Sequence, residues 1–140
     1  MIEEVFIRKA DCRFGDDLIS FIDLYEEWKE DFHKEQVIHH FCENEFYFIY
    51  KETWENEEHH YSGFEGEHET IGFLTVEYLH DEYRALEHVW IRESERGKRF
   101  ATTAIAQTNA NYISTIGINE RSNEFINYIL SLGDLQEVVE

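Results

Sequence analysis

Proline is absent from this sequence, cysteine occurs twice and methionine once. Without proline, no turn is fixed by a cis peptide bond or a locked φ, so every loop must be held by hydrogen bonds and packing. Two cysteines, Cys12 and Cys42, are too few for the disulfide framework of a small secreted domain, and they lack zinc-site spacing. Both read as free thiols, with Cys42 expected in the core. No apolar run approaches the ~20 residues that cross a bilayer. The opening Met1-Ile2-Glu3-Glu4 lacks the basic-then-apolar order of a signal peptide. A soluble cytoplasmic protein without a membrane partner is therefore expected. Basic residues are scarce too, with twelve Lys and Arg against 31 Asp and Glu and a net charge of −19. Direct nucleic-acid binding depends on Lys and Arg displacing counterions, so this charge argues against it. Gly-x-Ser-x-Gly, Walker and dinucleotide-binding patterns, internal repeats and low-complexity tracts are all missing.

Hydrophobic residues make up 42% of the chain and aromatics 16%, which is the composition of a packed protein rather than an acidic tail. At 140 residues it suits a single domain, 1–140, large enough to bury a sizeable core. The acidity is uneven: residues 1–69 hold twenty Asp and Glu against six Lys and Arg, and residues 70–140 hold eleven against six. A cationic amine or a basic protein surface suits such a first half as partner; solvation of the outer faces is the plainer explanation.

Residues 4–9 read as an opening strand. Leu18, Phe21, Ile22, Tyr25, Trp28, Lys29 and Phe32 then recur at helical spacing, with Asp17, Asp23, Glu27 and Glu30 on an acidic face. Val37, Ile38, Phe41 and Cys42 mark a second helix. Strands are expected at 46–50, 70–78 and 86–91, the first two separated by a charged stretch from Glu55 to Glu69 that reads as a loop or an extended hairpin tip. A helix at 102–111, a strand at 113–118, a helix at 120–132 and a short strand at 135–139 complete the order β-α-α-β-β-β-α-β-α-β.

Four of the twelve basic residues fall between Arg92 and Ala101, where a strand passes through a glycine-containing turn into a helix. Backbone N–H groups and the positive end of a helix dipole converge at such a turn, a suitable place for phosphate. Val89-Trp90-Ile91 followed by Arg96-Gly97-Lys98-Arg99-Phe100-Ala101 resembles the acetyl-CoA pyrophosphate loop of the GNAT (GCN5-related N-acetyltransferase) superfamily, whose pattern is Arg/Gln-x-x-Gly-x-Gly/Ala. Arg96 and Ala101 match its ends, and Arg99 stands where the central glycine belongs. Residues 122–133 resemble the family's late motif of an asparagine, a helix, a tyrosine and a Leu-Gly pair. The spacing is one residue short: Tyr128 comes early from Asn123, and counting back from Gly133 the tyrosine slot holds Ile129.

The resemblance implies an α/β fold with a mixed, mostly antiparallel sheet flanked by helices, and transfer of acetyl from acetyl-CoA to an amine. It implies that Val89, Ile91 and Arg96 to Ala101 hold the cofactor, with Asn123 or Asn119 at its amide arm; each asparagine reads equally as a cap of the last helix. Glu87 or His88 relays a proton, and Tyr128 is the candidate acid for the departing thiolate. Adjacent strand residues point to opposite faces, so only one of Glu87 and His88 is expected at the cleft. On its own terms, Tyr128 with Phe125, Ile129 and Leu132 reads as a core stripe. Asp16, Asp17 and Asp23 are expected to draw a cationic acceptor such as a polyamine, aminoglycoside or lysine-bearing protein. The rival reading is a catalytically degenerate member acting as a binding or assembly module, as in accessory proteins encoded by bacteriophages. An acidic mimic of DNA draws on charge and aromatic content alone. Eight histidines, including His39-His40, His59-His60 and His68, raise the question of a metal, but no His-x-x-x-His or Cys-x-x-Cys pair anchors one, and none is expected.

Overall fold

Alternating and β-branched or aromatic side chains suit a pleated, half-buried surface, and four such segments make the body of the sheet. The computed structural model describes residues 1–43, 45–80, 83–113, 127–133 and 136–137. Strand β1 (Ile2–Lys9) leads through helices α1 (Gly15–Trp28) and α2 (Lys34–Cys42) into β2 (Phe46–Trp54). A short helix α3 (Glu57–Tyr61) precedes β3 (Glu67–His80), which turns back as β4 (Tyr83–Ile91). Helix α4 (Phe100–Ala106) then leads to β5 (Tyr112–Ile113), and β6 (Gln136–Glu137) follows a helical turn at 127–131. The first four strands pair antiparallel in sequence order, and β5 and β6 add in parallel. This is the expected mixed, mostly antiparallel sheet with its helices in the expected order.

Each sheet face carries its own core. Phe73 and Leu74 are neighbours on β3 and enter different clusters. Phe73 joins Phe46, Phe48 and Trp90 under Phe21, Leu24 and Trp28 of α1 and Val37 and Phe41 of α2. Leu74 joins Ile49, Ile71, Val76, Leu86 and Ile91 against Ala104 and Ile105 of α4 and Ile129.

The stretch from Glu55 to Glu69 is the extended hairpin tip rather than an open loop: it joins the antiparallel β2 and β3, holds α3, and enters β3 at Glu67. Asn56 accepts from the backbone N–H of His59 at 2.9 Å and caps α3, and Trp54 Nε1 donates to the Phe64 carbonyl at 2.8 Å. The stripes of α1 and α2 are also displaced from those expected. Phe21, Leu24 and Trp28 face the sheet while Leu18 and Ile22 are exposed, because the helix ends in a large indole that takes the deepest place. On α2 the buried positions are Val37, His40 and Phe41; Ile38 lies at the margin and Cys42 is exposed rather than in the core. Asp17 is 1% exposed, so it belongs to no acidic outer face. Its carboxylate accepts from the Arg8 guanidinium and from the Asp11 backbone N–H at 2.9 Å, fastening α1 to β1.

Candidate active site

The chain between Ile91 and Phe100 opens with a 3-10 turn, Glu93–Glu95. Glu95 is buried, with Lys51 Nζ of β2 at 2.7 Å and Lys98 Nζ at 3.3 Å. Burial pushes its carboxyl up, yet the two ammonium groups outweigh this and hold it below the usual range. Arg92 turns inward, donating to Glu27 at 2.9 Å and to Glu69 at 2.7 Å. Arg96 Nε donates to the Ile91 carbonyl at 2.7 Å, and its guanidinium lies over the Trp90 ring. Three of the four cations of this segment thus already have partners in the protein. Arg99 is exposed, and among the described residues no carboxylate pairs with its guanidinium.

The backbone completes the turn. Gly97 has φ +83° and Arg99 φ +63°, both left-handed. Arg99 therefore adopts the conformation that a glycine in its slot would adopt freely, at about 1–2 kcal/mol for a residue with a Cβ. It sits immediately before α4, whose first-turn N–H groups at Phe100, Ala101 and Thr102 find no acceptor among the described residues. Those donors and the uncommitted guanidinium fit a phosphate group.

A second constellation lies further back along β4. Thr75 pairs with His88 and Val76 with Leu86, leaving Glu87 as one extra residue on β4. This β-bulge interrupts the alternation of side chains. Leu86 and Val89 both pack on the α4 side, and Glu87 and His88 both turn toward α2. The expectation that only one of them reaches the site is corrected by that extra residue. Glu87 Oε2 lies 2.9 Å from His40 Nε2, and the His88 ring lies 5.7 Å from that of His40 and 5.2 Å from Phe32. His40 Nδ1 is 3.0 Å from Glu45 Oε2. Glu77 of β3 is hydrogen-bonded to Glu87, so Glu45, His40, Glu87 and Glu77 form one chain.

The charges in this chain are set by burial and by one another. Burial pulls His40 down, but Glu87 and Glu45 outweigh it and raise the imidazole above its ordinary value. The bond from His40 holds Glu87 down at about 2 against burial. The bond to Glu87, with burial second, pushes Glu77 up to about 7. Burial, followed by the nearby His40 charge, lowers His88, so its ring is neutral at neutral pH. The site therefore offers an ionised carboxylate beside a neutral imidazole able to accept a proton.

Residues 19–121 match the acetyltransferase (GNAT) family. The chain belongs to the GNAT family. Among solved structures, an aminoglycoside acetyltransferase from an uncultured soil metagenomic sample, in complex with trehalose, is similar at 13% identity and a TM-score of 0.41, covering 99% of this chain and 76% of that one. No curated protein matches the sequence.

Other expected GNAT site residues are dispersed. Val89 packs against the α4-side core, Ile91 is buried within it, and Phe100 and Ala101 rest on its edge. Tyr128 is 43% exposed and Leu132 45%, so Ile129 alone of the described stripe residues docks on the sheet and Tyr128 does not pack there. Leu130, outside that stripe, is partly buried against the same core, so the described turn presents a different row to the sheet. Asn119, Asn123 and Phe125 lie outside the described residues. Asp17 does not face an acceptor, since it is engaged by Arg8. Three members of the chain, His40, Glu45 and Glu77, were not expected. The signal for His40 was its place in the i, i+3, i+4 pattern of Val37, His40 and Phe41. Among the described residues, no helix is long and apolar enough to cross a membrane.

Proposed function

We propose that this GNAT protein transfers an acetyl group from acetyl-CoA to a primary amine, with the bulge of β4 as the point where the amine loses its proton. The observation that carries this reading is the turning of Glu87 and His88 to one face by the extra residue in β4. Acetyl-CoA, when bound, would supply a thioester whose carbonyl carbon gains the bond to the amine nitrogen as its bond to sulfur breaks, and coenzyme A would leave as a thiol with one of the two protons that the ammonium gives up. Gly97, Lys98, Arg99, Phe100 and Ala101 would hold its pyrophosphate through the first-turn N–H groups and the Arg99 guanidinium; Arg96 positions the turn by gripping the Ile91 carbonyl. An alkyl ammonium has no lone pair and cannot attack until deprotonated. The Glu87 carboxylate, held ionised, draws the ammonium in, and a ring nitrogen of neutral His88 takes the proton. Glu87 is too weak a base for that step near neutral pH. The net charge of −19 favours a cationic acceptor.

Calorimetric titration with acetyl-CoA and coenzyme A tests the first half of the reading. Micromolar binding that weakens in Arg99→Ala is expected; no binding at millimolar ligand would sink it. An amine screen tests the second half, with His88→Gln lowering kcat by about 10²–10⁴-fold and leaving cofactor affinity intact. A second reading, a GNAT fold acting as a binding module for a basic protein, is favoured by one observation. Arg92 and Lys98 are already paired with Glu27, Glu69 and Glu95. It predicts failure of the first titration.

A further inference from the structure

We propose that His40, Glu87 and His88 form a binding site for a divalent first-row transition-metal ion, with Zn²⁺ the best-suited occupant. One donor atom from each lies within 4.8 Å of the other two. They come from separate elements, one from the buried stripe of α2 and two from β4, so no sequence spacing reveals them. Without the bulge, a regular strand would send Glu87 and His88 to opposite faces and no such set would exist.

The surroundings suit a metal as well as the donors do. Two imidazoles and a carboxylate form a donor set of open zinc sites, which leave a fourth position for water. His40 Nε2 and Glu87 Oε2, 2.9 Å apart, share a proton whose place a metal would take. Glu45 lies 3.0 Å from the other ring nitrogen of His40, placed as the outer-sphere carboxylate of a histidine that ligates through Nε2 once the shared proton has left. The His88 ring touches Phe32 and His40 and has no hydrogen-bond partner among the described residues, so its lone pair is uncommitted. Closing the donors onto bonds of ~2.0–2.2 Å asks for rotation of Glu87, whose side chain is 25% exposed, and of His88. Mg²⁺ and Ca²⁺ prefer shells of oxygen and are selected against by the two nitrogens. A bound metal and an ammonium would compete for Glu87 and His88, so the metal would block the proton transfer proposed above, and its binding stands whether or not the protein transfers acetyl groups.

The test is titration of the full chain, without acetyl-CoA, with Co²⁺, Zn²⁺ and Mg²⁺. One equivalent of Co²⁺ should give the intense visible bands of four-coordinate cobalt, bleached by Zn²⁺ and untouched by Mg²⁺. His88→Gln and Glu87→Gln should each weaken Co²⁺ binding by about tenfold or more, and Glu45→Gln by about 10–100-fold, with unchanged circular dichroism. A His59→Gln, His68→Gln variant, altered on the α3 hairpin, should bind as the parent does. The weak spectrum of six-coordinate cobalt with the parent chain would overturn the proposal, even if a variant fails to fold. So would binding lost in the hairpin variant but kept in His88→Gln.

Discussion

The sheet face beneath α1 and α2 is built from rings, and the face beneath α4 from branched aliphatic side chains. On the first, Phe46 and Phe73 stack 5.1 Å apart with planes 9° from parallel, and Trp28 lies 4.8 Å from Phe73. On the second, Ile, Leu and Val pack with Ala104, and among the described residues Tyr47 is the one ring of the sheet strands at its edge. Of the buried polar residues, Asp17, His40 and Thr75 stand on the aromatic side, and Lys51, opposite Val5 of β1, pairs with Glu95 on the aliphatic side. Rings present a negative face and a positive edge, so charged neighbours can rest on them. Arg8 lies over Phe48, and Phe32 meets the His88 ring nearly at right angles. On the aliphatic side the buried charges close on each other instead, Lys51 against Glu95. The aromatic face therefore carries the Glu87–His88 constellation, while the basic turn leads into α4 on the other.

The strongest challenge to that contrast is Trp28→Ala, expected to lower stability by about 3–5 kcal/mol in urea unfolding. Its counterpart Leu74→Ile conserves volume and should lose less than about 1.5 kcal/mol. If Trp28→Leu proves as mild as Leu74→Ile, ring geometry is not what holds the first face.

Asp17→Ala tests the polar side of the contrast, and a loss of about 2–3 kcal/mol is expected from its charge-assisted bonds. The Arg8 bonds, against burial, hold the Asp17 carboxyl below its ordinary value. A lowered folded value stabilises above the unfolded pKa of about 3.9. That contribution should disappear as the pH falls through the folded value, and Asp17→Asn should flatten this part of a stability profile between pH 2 and 6.

Gly72→Ala sharpens the picture where β3 meets β4. A Cβ there would run into the Trp90 carbonyl oxygen, so strand separation and a loss of about 1–3 kcal/mol are expected by thermal melting. The smallest effect belongs to Arg99→Gly, outside both cores. Relief of its left-handed backbone should stabilise the fold by about 1 kcal/mol. A destabilised Arg99→Gly would mean that the guanidinium, not the backbone, holds the turn.

The sheet was legible in the sequence because ladders of Phe46 to Tyr50, Ile71 to Val76 and Leu86 to Ile91 carry their own periodicity. The turn from Arg92 to Ala101 was legible as a place, since a cluster of cations in an acidic chain stands out. Its side chains' partners were not. Arg92 meets Glu27 of α1 and Glu69 of β3, and Lys51 of β2 meets Glu95, contacts among distant parts of the chain. The helix stripes were displaced because helical spacing allows several adjacent rows, and the depth of Trp28 chose one.

Composition, charge and local periodicity by themselves determined a packed acidic α/β protein, its order of elements and the position of the basic turn. These depend on residues close in sequence and on sums over the chain. The extra residue in β4, the side to which Glu87 turns, and its meeting with His40 were decided by tertiary structure. Register is a property of two strands together, and a bulge arises from how β3 and β4 match, which neither strand's own pattern contains.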